Sequence, residues 1–110
     1  MDTYLVLFVR GVIKDRPDLF RAARGKLDEM YPLPEARLAA AENPEQDRWG
    51  WFRWYDNAPF EDRKMNAAVL TLAVLDAHDA GAEINPRVAA NLLACLGVLV
   101  QEACPASVEV

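Results

Sequence analysis

Reactive side chains are scarce in this 110-residue chain. It has one serine, Ser107, and one histidine, His78. A Ser-His-acid triad would have to carry a near-terminal serine onto the end of a helix, an arrangement with little to support it. Cys104 and His78 are the next pair, both near predicted helix ends. A free cysteine, however, is more often a small buried hydrophobe than a nucleophile. Glycines are few and dispersed, at Gly11, Gly25, Gly50, Gly81 and Gly97. That excludes a Rossmann or P-loop phosphate fingerprint. Asp76, His78, Asp79 and Glu83 mix suitable ligand types, but on a helix Asp76 and His78 lie about 200° apart around the axis. The plainer reading is a solvated helix end. No catalytic residue, metal or cofactor is assigned, and the chain is read as non-enzymatic.

Cysteine is equally sparse. Cys95 and Cys104, if both sit on the last helix, are separated by about 13 Å, beyond the roughly 7 Å Cα limit for a disulfide. Free thiols agree with a reducing compartment. No long hydrophobic run is present either. Tyr4–Val9 is short, follows Asp2 and ends at Arg10, which makes a poor signal peptide. Val88–Val100 contains Asn91 and is too short to span a bilayer. The expectation is a cytoplasmic protein with no membrane partner.

Excess positive charge is also missing. The net charge is −5. Residues 1–64 hold 11 Lys/Arg against 12 Asp/Glu, whereas residues 65–110 hold one base, Arg87, and five acids. An acidic chain is repelled by phosphate backbones at long range, so nucleic acid is disfavoured. One basic cluster stands out: Lys14, Arg16, Arg21, Arg24 and Lys26. Asp15, Asp18, Asp28 and Glu29 lie in the same stretch, so it reads as a mixed-charge solvated helix face.

What the chain does have is apolar residues, 53% of the total, enough for one globular domain over 1–110. Tyr4–Ile13, apolar without interruption to Val9, reads as a central strand. Pro17–Tyr31 reads as an amphipathic helix with Phe20, Ala23, Leu27 and Met30 at steps of three and four. Glu35–Glu42 is open between helix and strand. Its place before the turn-like Asn43–Asp47 cluster favours the first arm of a hairpin whose second arm is Arg48–Asp56. Pro59–Ala80 reads as a long helix ending at Gly81. Asn85 and Pro86 then open a last helix to about Ala103. Ala106–Val110 alternates like a short edge strand. The resulting order is β-α-β-β-α-α, with a possible final β. It describes an α+β domain with a small sheet of three or four strands and helices on one face.

The most specific feature is aromatic. Five of the seven residues from Trp49 to Tyr55 are Trp, Phe or Tyr, half of the ten aromatics in the chain. As a strand, Trp49, Trp51, Arg53 and Tyr55 share one face, and Gly50, Phe52 and Trp54 the other. Burial of both faces within the fold is one reading. The other is an interaction surface, because Trp, Tyr and Arg are enriched at binding hot spots. Glu42, Glu45, Asp47, Asp56, Glu61 and Asp62 form an acidic rim suited to a basic protein surface or a cationic ligand.

The expected function is protein binding, of the inhibitor or immunity type, through Trp49, Trp51, Arg53, Tyr55 and Asp56. Two alternatives stand beside it. One is a small-molecule binder or small enzyme with a pocket between sheet and helices. The other is a structural homo-oligomer, with Val88, Leu92, Leu96 and Leu99 of the helical hairpin meeting a second copy across a two-fold axis.

Overall fold

The structure, a computed structural model, describes residues 3–31, Arg37 and residues 60–103. Four helices account for nearly all of them: α1 (Thr3–Asp15), α2 (Pro17–Met30), α3 (Phe60–Asp79) and α4 (Pro86–Ala103). Among the described residues there is no strand. The expected α+β architecture is therefore corrected to a helical, bundle-like fold.

The correction begins at Tyr4–Ile13, which is helix α1 rather than a central strand. A short continuous apolar run has no period of its own, so it fits a buried strand and a helix equally. The packing reveals the helical spacing. Val9 is fully buried, and Leu5, Val12 and Ile13 lean on the same core. These positions recur at steps of about three and four along one side. Within the expected strand arm Glu35–Glu42, Arg37 is helical. The other expected strands, Arg48–Asp56 and Ala106–Val110, lie outside the described residues.

A single residue, Arg16, separates α1 from α2. Pro17 occupies the first helical turn, and Arg16 before it leaves the helical region at φ −132° and ψ 62°. The proline ring disfavours helical backbone in the preceding residue, which turns the chain sharply there. Phe20, Ala23 and Leu27 are buried, and the Tyr31 N–H closes the helix by donating to the Leu27 carbonyl at 2.8 Å.

Helix α3 is the axis of the fold. It packs extensively against both α2 and α4, while α1 lies more lightly across α4, α2 and α3. Every residue from Ala67 to Leu75 is buried. The alanines among them, Ala67, Ala68 and Ala73, let neighbouring helices approach closely. Thr71 is the one polar residue of that stretch, and its hydroxyl donates to the Ala67 carbonyl at 2.8 Å. The buried oxygen is thereby satisfied without leaving the helix.

The end of α3 is a complete Schellman motif. Gly81 has φ +92°, the Ala82 N–H donates to the Ala77 carbonyl at 2.9 Å, and the Gly81 N–H donates to the His78 carbonyl at 3.0 Å. Asn85 then caps α4, its side-chain oxygen accepting from the Val88 N–H at 2.9 Å, with Pro86 in the first turn. The α3–α4 hairpin thus forms with the start and stop signals its sequence carries. Among the described residues no helix is long and apolar enough to cross a membrane.

Candidate interaction surfaces

Among the described residues, several charged side chains are paired between elements of the fold. Asp76 of α3 sits at the centre of a network. Arg24 of α2 grips it with both terminal nitrogens, the second at 3.0 Å. Arg37 donates to the same carboxylate, to Asp28 at 2.9 Å and, through Nε, to the Tyr31 carbonyl at 2.6 Å. Two guanidinium groups and two carboxylates thus close a neutral, partly buried clamp across α2 and α3. The hydrogen bond to Asp76 raises the Arg24 pKa above its ordinary value. Partial burial opposes the rise, and the charges of Asp76 and Asp28 add to it. The Arg24 guanidinium therefore stays charged as it grips Asp76.

That network bears on two sequence-level clusters. In the basic cluster, Arg24 is held by Asp76, and Arg21 lies 3.5 Å from Asp18. In the acidic group near the end of α3, Asp76 faces the two arginines. Asp79 accepts from Arg10 of α1 at 2.9 Å, and His78 Nδ1 is 3.3 Å from the same Asp79 oxygen. Among the described residues no three His, Cys, Asp or Glu side chains are placed to share a metal ion. Burial pushes the Cys95 thiol up to about 12, so it stays protonated and unreactive at neutral pH.

The expected partner-binding residues Trp49, Trp51, Arg53, Tyr55 and Asp56 all lie outside the described residues. The expected dimer stripe is described, and the chain itself covers it. Val88, Leu92, Leu96 and Leu99 are all buried in the intramolecular core, on the side of α4 that meets its neighbours.

Among the described residues, large apolar side chains are left in water elsewhere. On α1, Tyr4 is 82% exposed, Leu7 60% and Phe8 51%. They follow the i, i+3, i+4 spacing of one helix face, which exposed Gly11 continues at i+7. On α4, Leu93 is 56% exposed and Val100 42%. Ala90, Ala94 and Gly97, also exposed, lie on the same side. Sequence reasoning missed the α1 face because it took the segment as a strand. In a strand Leu5, Leu7 and Val9 share a side; in the helix Leu7 and Val9 separate.

Comparison with known protein families, with curated proteins and with solved structures gives no match.

Proposed function

We propose that this chain is a non-enzymatic protein-binding module of the inhibitor or immunity type. In this reading it grips a basic partner surface through Trp49, Trp51, Arg53 and Tyr55, with Asp56 in the surrounding acidic rim. The observation that carries it is the aromatic concentration between Trp49 and Tyr55 inside acidic flanks. Large amphipathic rings and an arginine are the side chains from which binding hot spots are made. The packing of the helices adds support. Phe20, Leu27, Val69, Val74, Leu92 and Leu99 supply a core from α2, α3 and α4 themselves. A helical domain with that core has less need of three tryptophans at its centre.

Acrylamide quenching of tryptophan fluorescence is the first measurement, since all three reporters lie in the segment. The expected emission is red-shifted and readily quenched; a blue-shifted, protected emission removes the main support. The Trp51→Ala, Tyr55→Ala double variant should keep its helical circular dichroism. It should bind the partner at least about thirtyfold more weakly, the loss expected for hot-spot residues. Undiminished partner recovery by a folded double variant would refute this reading.

A further inference from the structure

We propose that the exposed faces of α1 and α4 form a self-association surface whose occupant is a second copy of this chain. None of the residues from which the surface is argued lies between Trp49 and Tyr55 in the sequence, so it stands or falls apart from the partner-binding reading.

Shape is the first argument. The α1 face is bulky: Tyr4, Leu7 and Phe8 stand out along about a turn. The α4 face is low: Ala90, Ala94 and Gly97 flanked by Leu93 and Val100, all exposed. Ridges of large side chains pack into stretches of small ones. Each copy carries both halves of that fit, and α1 packs against α4 within the chain, so the two faces belong to neighbouring helices. A two-fold axis would set α1 of each copy against α4 of the other. Such a contact closes on itself and stops at a dimer.

Area is the second argument. Taking roughly 150–250 Å² for an aromatic side chain and about 60–120 Å² for a leucine or valine, these five exposed hydrophobics leave on the order of 400 Å² in water. The alanines and glycines beside them bring the total towards the roughly 800 Å² per partner of a standard interface. One face alone falls well short of that figure, and the two together approach it. Charge is the third. From Tyr4 to Gly11 and from Ala90 to Val100 the exposed faces carry no carboxylate. Despite the net charge of −5, these two stretches can meet without bringing any carboxylate of their own into contact. The same net charge disfavours an anionic lipid surface as the occupant.

The test is the sedimentation mass of the intact chain from micromolar to near-millimolar concentration. The expected mass rises from 12.3 kDa to twice that value. Two variants locate the contact. A Cβ at Gly97 meets nothing within 4 Å, so Gly97→Glu fits the monomer and improves its helix propensity while placing charge in the low stretch. Leu7→Glu does the same on the ridge. Each should keep its helical circular dichroism and weaken the dimer at least about tenfold. If Leu7→Glu fails to fold, Gly97→Glu decides alone. A wild-type chain that stays monomeric throughout overturns the proposal, and so does a dimer that survives in either folded variant. Co-sedimentation of a monomeric wild type with phosphatidylcholine vesicles would identify a lipid occupant instead, and would overturn it too.

Discussion

Helices α1 and α3 carry apolar runs of similar density, yet one lies across the fold and the other forms its axis. From Ala67 to Leu75, α3 is buried on every side. From Tyr4 to Phe8, α1 buries only part of its circumference and leaves Tyr4, Leu7 and Phe8 in water. The difference lies in side-chain size and in fastening. Alanines on α3 let both α2 and α4 pack against it, and Asp76 bolts it to Arg24 and Arg37. On α1 the outward residues are large, and the half-exposed pair of Arg10 and Asp79 ties it to α3. Apolar density alone therefore says little about burial. What decides it is whether neighbours can approach.

Core truncation should break this comparison open most widely. Leu70→Ala on α3 removes a nearly fully buried side chain and should cost about 2–5 kcal/mol in urea unfolding. Val9→Ala on the buried side of α1 should cost roughly 1–3 kcal/mol. Leu7→Ala, two residues earlier, should change the monomer by less than about 0.5 kcal/mol. The Leu7 and Val9 pair also separates helix from strand, because a strand would place both side chains on one face. Equal costs at the two positions would overturn the helical reading of α1.

This pair also shows where sequence reasoning fell short. Helices α2, α3 and α4 were legible because their ends are written in local chemistry. Pro17 and Pro86 sit where a helix tolerates proline, Asn85 can cap, and Gly81 can turn left-handed. Helix α1 is preceded only by Asp2 and opens with Thr3, types that serve turns as readily as caps, and Tyr4–Val9 has no charged residue to reveal a period. The unbroken apolar run fitted a central strand, which put the first segment into a sheet. The exposed face of α1 was lost with that assignment, since a strand scatters Tyr4, Leu7 and Phe8 over both sides. Val88, Leu92, Leu96 and Leu99 were recognised as one stripe. What periodicity does not contain is whether α3 or a second copy covers it.

The two fastenings offer a finer contrast. Asp76→Ala would leave the guanidinium groups of Arg24 and Arg37 facing each other without their shared carboxylate. Breaking a buried pair costs about 3–5 kcal/mol, and the partial exposure of this one reduces the expectation to about 1–3 kcal/mol. Asp79→Ala removes the exposed partner of Arg10 and should cost under about 1 kcal/mol, less still in high salt. Urea unfolding of both variants at low and high salt checks the ranking. Equal effects would mean that the Asp76 clamp holds α2 to α3 no more firmly than a surface pair holds α1.

Two glycine substitutions should differ in sign. Gly81 closes α3 at φ +92°, where a side chain is strained even though a Cβ there would meet nothing within 4 Å. Gly81→Ala should therefore destabilise the fold by about 1 kcal/mol through backbone conformation alone. Gly11 lies inside α1, exposed, and its Cβ position is open as well. Gly11→Ala keeps the helical backbone and narrows the freedom of the unfolded chain, so it should stabilise the monomer by about 0.5–1 kcal/mol. Both glycines have the same free space, so contacts cannot explain a difference between them. Opposite shifts in the unfolding midpoint at dilute protein would trace the contrast to backbone geometry. A loss at both positions would mean that residue 11 does not lie in an exposed helix interior, and the description of α1 would have to change.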